Sequence, residues 1–239
     1  ILVGLVGSEM CIRDRVYSPG EPSGIGVDLI IQLCNSAFWK EAGIPIICIA
    51  DPRLIEDRAR LVNKKIRINL LKEIDDCKKN TFGVLQVINI SKCSNTKPGK
   101  LYKSNASYVL ENLKYGIEQS LSRKKTALVT GPISKENIIS INKKFSGHTE
   151  YIQELTKSDD VLMLLGSDKL RVAIATTHIP LKKVSKAITK NLILSKVMIL
   201  NNELKSKFNI KNPRIKLLGL NPHACLLYTS PSPRDLQGS

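Results

Sequence analysis

The feature that most constrains the fold of this chain is a repeated alternation between short apolar runs and helical patterns. Five runs are apolar and rich in β-branched residues, as strands are, at 44–50, 84–90, 127–130, 172–176 and 215–220. Between them apolar residues recur at helical spacing, first at Val109, Leu113, Ile117 and Leu121 and later at Leu192, Val197, Leu200, Leu204 and Phe208. This alternation predicts an α/β fold with a mainly parallel sheet covered by helices on both faces.

The composition agrees with a globular chain of this class. The 239 residues are 42% hydrophobic, enough for one large or two small domains with a core of their own. Ordinary contents of glycine and proline exclude collagen-like and low-complexity chains. No apolar run approaches the roughly 20 residues of a membrane-spanning helix, so we expect no membrane association.

The one anomaly is a formal net charge of +16 at pH 7, from 37 basic and 21 acidic residues. Most of the basic residues are lysines, spread singly and in pairs such as Lys64-Lys65, without an arginine-rich arm. Proteins that read nucleic acids favour arginine for bidentate contacts. We therefore expect a solvated basic surface and no nucleic-acid partner. A positive field that draws in an anionic small molecule is the functional interpretation that stays open.

The two ends of the chain share a coding pattern. Residues 5–15 and 225–235 can be written as translations of the two strands of one DNA duplex, which resembles a transposase sequencing adapter. We therefore interpret 1–15 and 225–239 as artefactual, adapter-derived segments and exclude them from the fold reasoning. The rest is predicted to form a first α/β domain at 16–129 and a second one at 130–224, whose C-terminal part is missing.

The cysteines indicate a reducing compartment. Outside the excluded ends the chain has Cys34, Cys48, Cys77 and Cys93, and no two of them form a CxxC pair. Cys48 lies inside an apolar run, as a buried thiol does. We expect structural thiols and a cytoplasmic location.

Polar residues follow three of the predicted strands. They lie at 131–135 (GPISK), at 177–180 (THIP) and at 221–223 (NPH). In open α/β sheets ligands bind beyond the carboxyl ends of the strands. We therefore expect the three strand ends to bring polar residues to one edge of the sheet.

The sequence contains three histidines, His148, His178 and His223. The last two lie at predicted strand ends, where two imidazoles can share one metal ion, and His148 opens a predicted helix. A hydrogen-bonded structural role is the alternative for each ring. A catalytic metal site takes three protein ligands, so a third ligand must lie elsewhere.

A glycine-rich segment, 19–26 (PGEPSGIG), precedes a helical run. It fits neither the dinucleotide fingerprint nor the phosphate loop of nucleotide hydrolases. It is either an anion-binding loop at a helix start or a tight structural turn.

Taken together, these segments resemble the family of 4-hydroxythreonine-4-phosphate dehydrogenases of pyridoxal phosphate biosynthesis. The matching stretches are SPGEPSGIG (18–26), TGPISK (130–135), GHTEYIQEL (147–155), LRVAIATTHIPL (170–181) and LGLNPHA (218–224). Their order and the intervals between the histidines match the family, and the similarity covers 16–224.

The resemblance implies a two-domain αβα fold like the isocitrate and isopropylmalate dehydrogenases, and a homodimer with its active site at the interface. His178 and His223 then match metal ligands, and His148 and Thr149 match substrate-binding positions. Thr149 can also be a plain N-cap. Lys135 meets the substrate phosphate or is simply an exposed lysine.

The reaction that the resemblance implies uses NAD or NADP and a divalent metal, Zn²⁺ first and Mg²⁺ or Co²⁺ as alternatives. A phosphorylated small molecule, 4-phosphooxy-L-threonine, is oxidised, and the product then loses CO₂. The third metal histidine and most contacts to NAD belong to a C-terminal third that this chain lacks, so we expect the chain alone to be inactive.

Two alternatives to this reaction stay open. A related dehydrogenase acts on another phosphorylated hydroxy acid, such as a threonate or erythronate phosphate, or on a dihydrodiol. A non-catalytic module that binds anions or nucleic acid is the alternative from a different class.

Overall fold

The structure is a computed structural model that describes residues 14–123, 125–167 and 169–220. These residues form two compact units: the first ends at Val161 and the second begins at Leu162. The domain boundary predicted at 129/130 therefore falls inside the first compact unit, and it stays a prediction. His223 and the segments 1–13 and 221–239 lie outside the described residues.

The first unit is built on a five-stranded parallel sheet. Its strands are β1 (Asp14–Ser18), β2 (Ile46–Ile49), β3 (Arg67–Leu70), β4 (Val84–Ile88) and β5 (Thr126–Thr130). The strand order is β3-β4-β2-β1-β5, and every neighbouring pair is parallel. The predicted α/β class with a parallel sheet is confirmed, and the predicted runs 44–50, 84–90 and 127–130 overlap β2, β4 and β5.

The described part of the first unit contains six helices, of which the last two follow the last strand of the sheet. The six helices are α1 (Gly26–Cys34), α2 (Ala37–Glu41), α3 (Pro52–Leu61), α4 (Ala106–Ser122), α5 (Lys135–Ile139) and α6 (His148–Thr156), with short 3₁₀ turns at Ile74–Asp76 and Lys103–Asn105. Among the described residues, no helix is both long and apolar enough to cross a membrane.

Helix α4 shows how the apolar spacing becomes packing. Val109, Leu113 and Ile117 are each at most 1% exposed, whereas Leu121 is 53% exposed because the helix ends there. The buried stripe packs on β5, where Leu128 is fully buried. Complete burial of an aliphatic side chain contributes roughly 1.5–3 kcal/mol relative to its exposure.

The order of the strands reverses beside β1. The chain runs from β1 to β2 on one side, and β5 closes the other side. In parallel sheets such a reversal leaves a crevice beyond the carboxyl ends of the two strands, where ligands bind. The loops that follow β1 and β5 therefore mark the edge of the first unit where a site is expected.

The second unit contains β6 (Met163–Gly166), β7 (Arg171–Ile174), α7 (Leu181–Ala187) and α8 (Lys190–Ser206). Strands β6 and β7 form a two-stranded antiparallel sheet. The predicted run 172–176 thus overlaps a strand, but that strand lies outside the parallel sheet. Leu204 and Phe208 are buried, as the helical spacing predicts.

The strand predicted at 215–220 is wrong for the described residues. No neighbouring strand pairs with this segment there, and Leu217, Leu218 and Leu220 are exposed. An apolar composition favours a strand, but a strand also needs a partner for its backbone hydrogen bonds.

Three strands of the structure, β1, β3 and β6, were not predicted. Asp14 and Arg15, assigned to the adapter-derived segment 1–15, begin β1, so that segment's boundary stays a prediction.

Candidate functional site

The expectation that three strand ends share one sheet edge is wrong. Strand β5 belongs to the parallel sheet, β7 pairs only with β6 among the described strands, and residues 215–220 form no strand. The argument from carboxyl ends applies only within a common parallel sheet. What the structure brings together is instead a group of loops and helix starts within the first unit.

The loops after β1 and after β5 are joined by backbone hydrogen bonds. The N–H of Glu21 donates to the carbonyl oxygen of Pro132 at 2.9 Å, and the N–H of Gly131 donates to that of Ser18 at 2.7 Å. These bonds continue the contact between β1 and β5 beyond the sheet. The two loops therefore form one hydrogen-bonded unit at the carboxyl ends of β1 and β5.

A glycine in each of the two loops allows this close approach. A Cβ on Gly20 would lie 2.2 Å from the Pro132 carbonyl oxygen, and Gly20 also has a left-handed φ of +78°. A Cβ on Gly131 would lie 2.2 Å from the carbonyl oxygen of Pro19. Only glycine fits such contacts. The tight structural turn is therefore the interpretation that this geometry supports.

A buried guanidinium holds the same loop from the other side. Arg58 of α3 is 3% exposed and donates to the carbonyl oxygens of Pro22 at 2.8 Å and Gly24 at 3.0 Å. It also pairs with the carboxylate of Asp28 at 2.8 Å. Because these partners satisfy the guanidinium, its burial is tolerated and the loop is held rigidly.

Lys135 lies beside the start of α6. It is the first residue of α5, whose N-cap Ser134 accepts a hydrogen bond from the N–H of Asn137. A Cβ on Gly147 would lie 3.6 Å from the Lys135 Nζ and 3.0 Å from the Glu150 Oε2. An ammonium and a carboxylate thus flank the backbone at Gly147. No ion pair of Lys135 is formed within the described ranges.

His148 is the first residue of α6 and is half-buried. Its Nε2 atom is buried and has no hydrogen-bond partner among the described residues. The pKa of His148 lies below its ordinary value, because burial disfavours the charged ring and the Lys135 ammonium repels it. The ring is therefore neutral at pH 7, and its buried Nε2 atom has an unsatisfied hydrogen-bonding capacity within the described residues.

Thr149 is not the N-cap of α6. The N-cap is Gly147, which has no side chain to accept a hydrogen bond from the first turn. The first N–H groups of a helix have no partner within the helix. The start of α6 therefore offers backbone donors beside Lys135 and His148, and the helix dipole favours negative charge there.

The position of α6 is set by apolar packing. The Phe145 and Tyr151 rings contact each other at 5.5 Å between centroids. Tyr151, Ile152 and Leu155 pack against the cluster of Leu113, Ile117 and Leu128. The helix start is therefore anchored to α4 and β5 by its next turns.

His178 lies in the second unit, in the loop after β7. Its side chain is exposed, and its backbone has a left-handed φ of +57°. A non-glycine residue in this region costs free energy and often marks a functional loop. His223, its predicted partner as a metal ligand, lies outside the described residues. Within those residues, no three metal-ligating side chains come together.

The four cysteines within the described residues form no disulfide with one another. Burial raises the pKa of the Cys34 thiol to about 11, and burial together with the carboxylates of Asp51 and Glu21 raises that of Cys93 to about 12. These thiols are protonated at neutral pH and are poor nucleophiles. They agree with the predicted structural role.

A surface pocket of about 580 Å³ lies elsewhere, beside the first turn of α3. None of the four predicted site residues that the structure describes lines it. The N–H groups of Arg53 and Cys93 in its lining already donate to the Asp51 carboxylate. These two donors are therefore not free to bind a ligand. The pocket therefore adds nothing to the site at α6.

Comparisons with known proteins agree with the sequence motifs. A family model described as "Pyridoxal phosphate biosynthetic protein PdxA" matches residues 41–226. A 4-hydroxythreonine-4-phosphate dehydrogenase from Enterobacter sp. (strain 638) is 37% identical over 209 residues, which cover 87% of this chain and 62% of that relative.

Solved structures share the fold. A 4-hydroxythreonine-4-phosphate dehydrogenase from Burkholderia phymatum matches with a TM-score of 0.81 at 26% identity, over 92% of this chain and 66% of that one. The enzyme of that name from Klebsiella pneumoniae matches with a TM-score of 0.81 at 22% identity, over 91% and 65%. The predicted isocitrate dehydrogenase-like α/β fold is confirmed. The chain spans less than two thirds of the length of these relatives.

Proposed function

The chain belongs to the PdxA family of pyridoxal phosphate biosynthetic proteins, and on this premise we propose that it carries the substrate-binding part of a dehydrogenase. The substrate is 4-phosphooxy-L-threonine. Its C3 alcohol loses a hydride to NAD or NADP and a proton to solvent, and this gives 2-amino-3-oxo-4-phosphooxybutanoate. That β-keto acid then loses CO₂ and becomes 3-amino-2-oxopropyl phosphate.

The observation that carries this proposal is the group at the start of α6. Lys135 supplies a positive charge, His148 a buried ring nitrogen without a partner, and the first turn of α6 supplies backbone N–H groups. All three suit a phosphate or carboxylate group of the substrate. Thr149, the next residue of the helix, adds a hydroxyl at this end.

Glu150 gives the same site a negative charge. Its Oε2 atom lies on the side of Gly147 that also faces Lys135. The substrate carries an ammonium group in addition to its phosphate and carboxylate. A site with both charges therefore suits this zwitterion better than it suits an inorganic anion.

A neutral His148 can donate one hydrogen bond without carrying a charge. Because its pKa is lowered by burial and by Lys135, protonation at pH 7 is unfavourable. A phosphate beside the ring would oppose that shift and favour the charged form. Substrate binding is therefore expected to raise the pKa of His148.

The metal belongs to the proposal as well. We propose His178 and His223 as ligands of a divalent cation, Zn²⁺ first, since neutral imidazole suits Zn²⁺ and Co²⁺. The exposed ring and left-handed backbone of His178 support this role. The described residues supply only this one of the proposed ligands and do not build the site, so we derive no step through the metal.

A homodimer and a cytoplasmic location complete the proposal. Both come from the family resemblance, and the absence of disulfides between the four described cysteines supports a reducing compartment. Sedimentation of the purified chain measures its oligomeric state. A dimer is expected, and a strict monomer at all concentrations would contradict this part.

The substrate site is tested by binding. Calorimetric titration with 4-phosphooxy-L-threonine is expected to show saturable binding, and Lys135→Met is expected to weaken it by at least about tenfold, the loss of one charge-assisted hydrogen bond. Lys143→Met, which removes an exposed lysine from the segment between α5 and α6, is the matched control and should bind as the original chain does.

The same titration separates the alternatives. Equal binding of a threonate or erythronate phosphate would favour a related substrate of the family. If Lys135→Met and Lys143→Met bind equally well, the site at α6 is wrong. Binding of nucleic acid with a steep salt dependence, and none of the phosphorylated threonine, would favour the non-catalytic module.

A further inference from the structure

The loop between β1 and α1 holds a buried carboxylate that the proposed function does not use. Glu21 is 5% exposed, and no ion pair of this residue exists within the described residues. Its Oε1 accepts from the N–H of Ser23 at 3.3 Å, and its Oε2 accepts from the Nδ2 of Asn137 at 3.2 Å. A carboxylate buried without a cation is costly, which points to a role beyond filling space.

Asn137 is the other end of this link. It is 3% exposed, and its Nδ2 also donates to the carbonyl oxygen of Tyr102 at 3.4 Å. Its backbone N–H donates to the Oγ of Ser134 at 3.3 Å. One buried amide therefore joins the β1–α1 loop, the turn at Tyr102 and the start of α5.

Helix α5 depends on such contacts for its direction. It has five residues, and a helix of this length is not stable by its own hydrogen bonds. Ile138 anchors it in the apolar core, while Asn137 and Glu21 provide the polar anchor. Lys135 is its first residue, so the direction of α5 sets where the stem of this side chain begins and how its ammonium group reaches Gly147.

We propose that Glu21 is a positioning residue that acts through Asn137: it fixes α5 so that the Lys135 ammonium stays beside Gly147 and His148. This proposal rests on the proposed function of that site, because the anionic group of the ligand is what Lys135 would meet. Glu21 itself touches no ligand. The loop clamped by Arg58 provides the rigid base from which it acts.

The test compares two substitutions in the full chain. Asn137→Ala removes the buried amide, whereas Asn142→Ala removes the same side chain from the turn after α5, where it accepts from the N–H of Lys144. Inorganic phosphate is the binding probe. NMR of the ring protons measures the pKa of His148. The His148 signal is identified as the one that is missing from the spectrum of His148→Gln.

In Asn137→Ala the affinity for phosphate is expected to fall about tenfold, because Lys135 no longer faces the start of α6. The pKa of His148 is expected to rise toward its ordinary value, since the repelling ammonium has moved. Asn142→Ala should leave both unchanged. If Asn137 had only a structural role, Asn137→Ala would lower the unfolding temperature but would change neither the phosphate affinity nor the pKa of His148.

Glu21→Gln tests the proposal without a large change in shape. One amide oxygen can replace one of the two acceptor oxygens but not both, so a smaller shift in the same direction is expected. If both variants fold and keep the original phosphate affinity and His148 titration, the proposal is overturned. If the original chain binds neither phosphate nor 4-phosphooxy-L-threonine while the pKa of His148 still shifts in Asn137→Ala, the proposed function fails and the positioning role stands.

Discussion

Four of the five strands in the first unit, β1, β2, β4 and β5, are mostly buried. In the described part of the second unit, by contrast, every residue of the two antiparallel strands keeps some exposure. In the first unit Ile47, Leu85 and Leu128 are fully buried, while in the second Leu165 and Val172 are 56% and 43% exposed. Two strands alone cannot exclude water from both faces. The comparison teaches that stability is concentrated in the first unit, which also carries the site at α6.

The largest effect is expected from a cavity in the first unit. Leu128→Ala should lower the free energy of unfolding by about 3–4 kcal/mol, because the side chain is fully buried. Leu165→Ala, the matched change in the second unit, should cost about 0.5 kcal/mol since that side chain is mostly exposed. Urea unfolding measures both. Equal losses would break the comparison.

The next effect concerns buried and exposed arginines. Arg58→Met leaves Asp28 and two carbonyl oxygens without their donor and is expected to cost about 2–3 kcal/mol. In the second unit Arg171, which lies 5.3 Å from the Phe208 ring, is exposed, and Arg171→Met should cost less than about 1 kcal/mol. Thermal unfolding of the two variants provides the measurement, and a larger loss for Arg171→Met would reverse the ranking.

A smaller effect is expected at Asp14, a buried carboxylate in β1. Asp14 is 6% exposed, and its Oδ1 is buried without a hydrogen-bond partner among the described residues. Asp14→Val should therefore raise the free energy of unfolding by about 1 kcal/mol. Asp57→Ala, at an exposed ion pair with Arg60, is the control and should change little. A destabilised Asp14→Val would show that the carboxylate has a partner.

The smallest effect is a pH dependence that belongs to the first unit. Because the pKa of His148 in the folded chain lies below its ordinary value of 6.5, the unfolded chain binds a proton more readily. Stability is complete above pH 6.5 and is lost as the pH falls from there through the folded pKa. Unfolding temperatures at pH 7.5 and 5.5 measure this loss, and His148→Gln should reduce it. An unchanged slope in that variant would contradict the burial of the ring.

The parallel sheet of the first unit was largely predictable. The runs that became β2, β4 and β5 are apolar in the sequence because both faces of a parallel strand are buried. Strand β3 was missed since its residues are half-buried or exposed and leave no such run. Strand β7 was found, but its antiparallel partner was not, because periodicity reports which face of a segment is buried and not what it pairs with.

The candidate site was also predictable only in part. His148, Thr149 and Lys135 were named from motifs, and the structure brings Lys135 to the start of α6. The link between Glu21 and Asn137 joins residues 116 positions apart, and no local pattern announces it. The pair of His178 and His223 stays a prediction.

The amino-acid sequence by itself determined the α/β class, the family and the identity of the residues around α6, since apolar spacing and short motifs are local properties of the chain. Only the tertiary structure decided that two glycine-containing loops pack backbone to backbone, that α5 is held by a buried carboxylate, and that the Nε2 of His148 has no partner among the described residues. Such facts depend on distances between segments far apart in the chain, and these distances are set by packing, which local patterns do not encode.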